Sequence, residues 1–203
     1  METKTLSAGS TVTLPQSDSD RFAGWIGSDG TFFPAGTDLS IITDITYSAL
    51  FLDLHMLDGA ALSTTEEQPH LRFSAVLDER SYLILSSLPN DSYTIIGTIL
   101  YTESQKAQEA DLQQIKTVEI DSGNMVKLDF DTEPLSKNEY QTIYSATLSI
   151  TLRYTNGEQK TISATAADTE RSAKQVATDA LADPYCPYSA ETVEFLKTIA
   201  NAT

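Results

Sequence analysis

Residues 22–51 read FAGWIGSDGTFFPAGTDLSIITDITYSALF and hold the chain's only tryptophan, Trp25. Short runs of strand-forming residues alternate here with the turn sequences SDGT and FPAGTDLS. RFAGWIG predicts a short strand, and ITYSALFLDL predicts a longer one with Tyr47, Ala49 and Phe51 on one side. The stretch therefore predicts a small module of strands and turns with little helix.

Trp25 lies between Gly24 and a glycine-rich turn, and two interpretations of it are open. An exposed ring stacks on sugars, whereas a single large ring in a small module more often fills the core. Burying such a ring removes roughly 150–250 Å² from water. We therefore expect Trp25 inside, with Gly24, Gly30 and Gly36 shaping the turns around it.

The composition indicates a folded protein with a strongly acidic surface. The chain has 203 residues, 40% of them hydrophobic, and a net charge of −16. A negative field repels phosphate backbones and anionic lipids, so we expect no nucleic-acid partner. The longest apolar run, YSALFLDLHML, is broken by Asp53 and His55, so we also expect no membrane insertion.

The first ten residues, METKTLSAGS, lack the apolar centre of a signal peptide. The chain is thus expected to be cytoplasmic or, the favoured interpretation, a piece of a longer protein.

Later segments predict longer strands and then helices. LRFSAVL (71–77) alternates, and YTIIGTILYT (93–102) is apolar enough for a strand buried on both faces. A strand hairpin is expected around Asn156–Gly157, and ESQKAQEADLQQI (103–115) suggests a short helix or a structured loop.

Near the C-terminus the apolar spacing becomes helical. One helix is expected to start at Asp168 or Thr169, with Arg171 in its first turn, and to stop at Pro184. A second helix is expected to be capped by Ser189. The overall expectation is an α+β, mainly β protein. Residues 1–52 would form a β-grasp-like module, and residues 53–203 a β-sandwich-like domain carrying the two C-terminal helices.

No reaction motif stands out, so we predict no catalytic residues, cofactor or metal. Several alternatives remain open on particular side chains. Acidic runs at Asp18 and Asp20, and at Asp129, Asp131 and Glu133, suggest calcium, but they lack the spacing of a calcium loop. Asp129 with Asp131, or Glu66 with Glu67, is conceivable as a glycosidase pair.

Basic and sulfur-containing residues leave further alternatives. Cys186 is the single cysteine and makes no internal disulfide, and no local motif pairs it with His55 or His70. Arg72 either points to solvent or pairs with an acid across its sheet. An isopeptide bond between a lysine and an asparagine is also possible, with three lysines near predicted strands: Lys127, Lys137 and Lys160.

The opening stretch resembles the end of a Listeria–Bacteroides repeat, the internalin B type found in bacterial surface proteins. The resemblance rests on Phe22, the Gly24–Trp25 pair, Gly30, Gly36 and the closing run ITDITYSALF. That family usually closes on Ala-x-Trp, and here the last residue is Phe51. Its first strand has no counterpart, so we expect it to be missing.

The remainder resembles domains that follow such repeats in surface proteins of gut Firmicutes. The matching segments are a GA…LRF core starting near Gly59–Ala60, the strand Gly97–Leu100 and the pattern Arg171–Leu181. Where the family has glycine before Leu71, this chain has His70. The resemblance implies display on a bacterial cell surface and no enzyme activity.

We therefore expect a non-enzymatic extracellular module of a bacterial cell-surface protein, with a spacer or adhesion role. Its partner would be an unidentified host or bacterial surface protein, or a glycan. The alternative is a carbohydrate-binding module attached to a glycan-degrading enzyme.

Overall fold

The structure is a computed structural model. It describes residues 7–63, 68–89, 91–101, 107–110, 112–120, 123–165, 170–185 and 187–202, and for 107–123 the backbone alone. The chain divides into two compact units. The first comprises residues 1–53, 78–94 and 150–162, and the second comprises residues 54–77, 95–149 and 163–203.

Short strands build the N-terminal part of the first unit. A two-stranded ribbon pairs β1 (Thr11–Thr13) with β4 (Asp38–Ser40). A three-stranded antiparallel sheet has the order β3 (Phe32–Phe33), β2 (Phe22–Gly27), β5 (Tyr47–Phe51). The expected turns follow β2 and β3, where Gly30 and Gly36 have φ angles of 83° and 75°. Glycine adopts such angles without steric cost.

Two later segments complete the first unit. Helix α1 (Glu79–Ser87) was not expected from the sequence; Asp78 caps it by accepting a hydrogen bond from the Ser81 amide. The Ser81 hydroxyl donates to the Phe51 carbonyl of β5 at 2.6 Å. The turn after the strand Tyr144–Arg153 supplies Thr155. The Thr155 amide donates to the Phe32 carbonyl, and its hydroxyl oxygen accepts from the Phe32 amide. Edge strand β3 is therefore capped by a distant part of the chain.

The core of the first unit lies on one face of its three-stranded sheet. Phe32 and Leu50 are each only 1% exposed there. Tyr154, whose side chain comes from the same distant turn as Thr155, packs its ring 4.8 Å from the Phe32 ring. Its hydroxyl donates to the Ala23 carbonyl at 2.5 Å. Gly24 makes this packing possible, because a Cβ there would lie within 3 Å of both rings.

The second unit contains the sheet β11 (Leu112–Ile120), β12 (Gly123–Asp131), β8 (His70–Asp78), β6 (Leu54–Met56), in that order. Strand β7 (Ala61–Ser63) also pairs with β8. The predicted alternation of β8 is confirmed, since its core side chains are completely or almost completely buried: Leu71, Phe73, Ala75 and Leu77.

A four-stranded sheet has the order β10 (Ala107–Ala110), β9 (Tyr93–Tyr101), β13 (Tyr144–Arg153), β14 (Gln159–Thr165). The hairpin expected at Asn156–Gly157 joins β13 to β14.

Two sequence-based predictions for this sheet and its neighbouring strand β11 are wrong. Of the residues 103–115 expected as a short helix or a structured loop, 107–110 form β10 and 112–115 begin β11, because pairing with neighbouring strands outweighs helix propensity. Residues 103–106 and 111 lie outside the described residues. Strand β9 is not buried on both faces, since Leu100 is 42% exposed.

Helices α2 (Ala173–Ala182) and α3 (Ala190–Ala200) pack together at the C-terminus. Ser189 caps α3 as expected. Helix α2 begins later than expected and is capped by Ser172, whose hydroxyl accepts from the Gln175 amide. Arg171 is not in its first turn but forms an antiparallel bridge with Tyr144. The expected caps, Asp168 and Thr169, lie outside the described residues.

The fold class is confirmed as α+β and mainly β, with several sheets and three helices among the described residues. The domain division into 1–52 and 53–203 stays a prediction. In the structure, residues 1–53 share their compact unit with 78–94 and 150–162. Across the described part of the chain, none of the helices combines the length and the apolar character needed to cross a bilayer.

Candidate functional site

The three-stranded sheet of the first unit has a second face, which carries five aromatic side chains. Cross-strand partners share a face, and Trp25 pairs with Phe33 on one side and with Ala49 on the other. Tyr47 and Phe51 lie on the Ala49 side of β5, because alternate residues of a strand share a face. We call the following set the aromatic face: Phe22, Trp25, Phe33, Tyr47 and Phe51.

A β-bulge brings Phe22 onto this face. The register of β2 against β5 shifts between Phe22 and Gly24, so Phe22 lies opposite Phe51 while Gly24 lies opposite Leu50. Without the extra residue, Phe22 and Trp25 would point to opposite faces, since they are three residues apart. The bulge thus extends the aromatic face by one ring.

The expectation that Trp25 fills the core is wrong. Trp25 is half-buried, whereas Phe32 and Leu50 on the opposite face are almost completely buried. The physical reason is that the core of this unit receives Tyr154 from a distant segment. That ring fills the space beside Phe32, so no large ring from residues 22–51 other than Phe32 is needed there.

The rings of the aromatic face contact one another in two groups. The Phe22 ring lies 5.8 Å from that of Trp25 and 5.4 Å from that of Phe51, both edge to face. The Phe33 and Tyr47 rings are 6.4 Å apart. Phe22 is buried, Phe51 is 45% exposed, and the other three rings are half-buried. These rings therefore form a partly open apolar surface on one face of the sheet.

The Trp25 indole is held in place by the chain that precedes β2. Its Nε1–H donates to the Pro15 carbonyl at 3.0 Å. This bond satisfies the polar atom of the ring. The indole is therefore oriented by the protein itself, and the contact it offers a ligand is the ring surface.

A carboxylate stands at one end of the aromatic face. Asp29, in the turn after β2, accepts from both the hydroxyl and the amide of Thr31, and these bonds lower the pKa of Asp29. Gly27 makes room for the pair, because a Cβ there would lie 2.5 Å from both Asp29 Oδ1 and Thr31 Oγ1. Gly27 lies opposite Tyr47, so Asp29 and Thr31 close the end of the face that carries this tyrosine.

In the second unit, the acids proposed as a glycosidase pair are engaged in ion pairs. Asp131 is 7% exposed and receives two bonds from Arg72, each of 2.8 Å. The hydrogen bond to Asp131 raises the pKa of Arg72. Of the two positions expected for Arg72, the structure shows the pair with an acid on the neighbouring strand.

Asp129 is held in the same way. Its carboxylate accepts a 2.6 Å bond from the Ser74 hydroxyl and lies 3.0 Å from Lys127 Nζ. Thr132, next along the chain, accepts from the Leu71 amide through its hydroxyl, and its carbonyl lies 2.8 Å from His70 Nδ1. These groups hold β8 to the end of β12, so their arrangement is that of a structural network.

The remaining candidates are not brought together. Asp18, Asp20 and Glu133 are exposed. Within the described ranges, no three acids, histidines or cysteines are placed to hold a metal ion. Lys160 Nζ donates to the Phe22 carbonyl at 2.6 Å, and Lys137 lies in a short 3-10 helix. Three candidates fall outside the described residues: Glu66, Glu67 and Cys186.

The second unit also has a groove of about 300 Å³ among β7, α2 and α3. Apolar side chains such as Leu62 and Leu196 line it together with Arg171, Asp179 and Tyr188. Arg171 is already engaged there, because its guanidinium donates to the Glu170 carbonyl and its backbone bridges Tyr144. The groove is therefore a weaker candidate than the aromatic face.

The sequence indicates Trp25 as a candidate, but it does not reveal the other rings and polar groups that lie beside it. The one available signal was the alternation of Tyr47, Ala49 and Phe51, which places two further rings on one side of a strand. The bulge and the Asp29–Thr31 pair had no recognisable signal in the sequence. No model of a known protein family matches this chain, and no curated protein gives a significant match to it.

Proposed function

We propose that this chain is a non-enzymatic extracellular module of a bacterial cell-surface protein, with an adhesion role or a spacer role. The observation that carries the proposal is the partly open aromatic face, where Trp25, Phe33 and Tyr47 offer contact area to a partner. Aromatic residues are enriched at such contact surfaces. The resemblance of residues 22–51 to surface repeats supports the location.

The burial and the ion pairs of Asp129 and Asp131 support the non-enzymatic part of the proposal. Asp129 and Asp131 each have a cation as partner and are almost completely buried. A glycosidase needs one protonated and one ionised carboxyl group facing a substrate. A carboxylate that is bound to Arg72 is poorly suited to donate a proton.

A second candidate function is a carbohydrate-binding module attached to a glycan-degrading enzyme. It is favoured by the partial exposure of Trp25, which leaves part of the indole open to a sugar ring. The two candidates differ in context, since the first predicts a surface adhesin and the second an enzyme in the same chain or complex.

Two measurements test the proposed function. Antibodies against this chain should label intact cells of the bacterium that encodes it, without permeabilisation. Beads coated with the chain should bind host or bacterial cells more than beads coated with a Trp25→Ala, Tyr47→Ala double variant. Labelling that requires permeabilised cells would contradict the location, and equal attachment of both beads would contradict adhesion through this face.

A further inference from the structure

We infer that the aromatic face is a binding site for a neutral oligosaccharide, with the Trp25, Phe33 and Tyr47 rings as the stacking surface and Asp29 as a hydrogen-bond acceptor at its end. This inference rests on the adhesion role proposed above and names its ligand class. It follows from the shape, the chemistry and the charge of the face.

The shape suits an extended, thin ligand. The five rings lie on three neighbouring strands, and on β5 Phe51 and Tyr47 are four residues apart, which corresponds to about 13 Å. Ala49 lies between these two rings and opposite Trp25. The length between Phe51 and Tyr47 exceeds that of a single sugar ring, so an oligosaccharide can lie along the surface.

The chemistry suits a carbohydrate better than an aliphatic partner. The faces of aromatic rings carry partial negative charge, and the C–H hydrogens of a pyranose carry partial positive charge. A sugar also brings hydroxyl donors to the edge of the stack. Both hydrogen bonds from Thr31 go to Asp29 Oδ1, and Asp29 Oδ2 belongs to an exposed side chain. That oxygen is available to accept from a sugar hydroxyl.

The net charge disfavours the other common glycan class, although Lys160 Nζ lies 5.9 Å from the centroid of the Phe22 ring. The chain carries a net charge of −16, and Asp29 adds a carboxylate beside the rings. Sulfated or uronic-acid-rich chains would be repelled by this field. A neutral ligand does not experience that repulsion, and its hydroxyl groups can donate to the acidic group.

The test is isothermal titration calorimetry of the complete chain with four hexasaccharides: cellohexaose, chitohexaose, mannohexaose and, as the anionic probe, a heparin hexasaccharide. We expect at least one neutral hexasaccharide to bind and the heparin probe not to bind. Trp25→Ala should weaken binding by about fivefold or more, since truncating an anchor ring costs above about 1 kcal/mol. Tyr185→Ala is the matched control, because Tyr185 is 88% exposed and lies in the other unit.

Asp29→Ala provides a second variant in an exposed turn, where it does not disturb the core. We expect it to weaken the same hexasaccharide by about threefold to tenfold through one lost hydrogen bond. The inference is overturned if no neutral hexasaccharide binds at millimolar concentration, if Trp25→Ala and Asp29→Ala bind as the unaltered chain does, or if the heparin probe binds instead. If coated beads attach to cells but no hexasaccharide binds, the proposed adhesion role remains supported and a neutral oligosaccharide is rejected as its ligand.

Discussion

Two sheet faces differ in how their polar and aromatic groups are used. One is the face of the β3–β2–β5 sheet that carries Trp25, and the other is the face of the β12–β8 pair that carries Asp129 and Asp131. On β12 the acids are buried and each is bound by a cation. On the β3–β2–β5 sheet, Trp25, Phe33 and Tyr47 are half-buried and the nearby acid, Asp29, is exposed. Groups whose interactions are completed within the protein stabilise it, whereas groups left partly open are available to a partner.

The strongest expected effect concerns the part of the chain that carries the aromatic face. We expect a fragment of residues 1–53 to be unfolded, because it lacks Tyr154 over Phe32, Thr155 at the edge of β3 and Ser81 at β5. Chains of about this length are marginal even with a complete core. Amide NMR spectra of the fragment and of the complete chain would show this directly. A well-dispersed fragment spectrum would instead support an independent domain at 1–52.

The next effect tests whether the acids of β12 are structural. Arg72→Ala should lower the free energy of unfolding by about 3 kcal/mol or more, because it leaves Asp131 buried and uncompensated. Urea denaturation measures the loss. Lys197→Ala is the matched control: it removes an exposed pair with Glu194 and should cost below about 1 kcal/mol. Equal costs for the two variants would show that Asp131 does not depend on Arg72.

A smaller effect tests the packing that excludes Trp25 from the core. Gly24 and Gly30 both have positive φ angles, but only a Cβ at Gly24 would meet the Phe32 and Tyr154 rings. We expect Gly24→Ala to cost about 2–3 kcal/mol, from backbone strain and overpacking. Gly30→Ala should cost about 1 kcal/mol, from strain alone. Similar urea midpoints for the two variants would mean that a Cβ at Gly24 has room beside the Phe32 and Tyr154 rings, which would contradict the packing described above.

The smallest effect is a pH dependence carried by Tyr154. Burial, with a contribution from the charge of Glu158, raises the pKa of the Tyr154 phenol to about 12, against an ordinary value of 10.0. The folded state therefore holds this proton more tightly than the unfolded state. Its contribution to stability is complete below pH 10 and is lost as the pH rises from 10 to 12. Tyr154→Phe should lack this part of the alkaline slope in urea unfolding, and an unchanged slope would contradict the burial of the phenol.

Local patterns predicted much of the fold. The alternation of Leu71, Phe73 and Ala75, the Asn156–Gly157 hairpin and the Ser189 cap depend on neighbouring residues, and all three are present. Residues 103–115 were predicted as a helix or a loop, since their helix propensity carries no information about the strands that pair with them. Tyr154 could not be assigned to the core around Phe32 for the same reason: the two are separated by more than a hundred residues.

The candidate site was predicted in part. From the sequence, a single large ring in a small module is expected to fill its core, so Trp25 is not predicted to be a sugar platform. That argument fails where a distant segment supplies a ring, as Tyr154 does. The bulge that places Phe22 beside Trp25 depends on register, which a single sequence does not reveal.

Fluorescence of Trp25 tests the central claim most directly, because the chain has no other tryptophan. The account predicts that acrylamide quenches this emission substantially in the folded protein, and that saturation with a bound neutral hexasaccharide reduces the quenching. A blue-shifted emission that acrylamide barely quenches would place Trp25 in the core and contradict an open aromatic face.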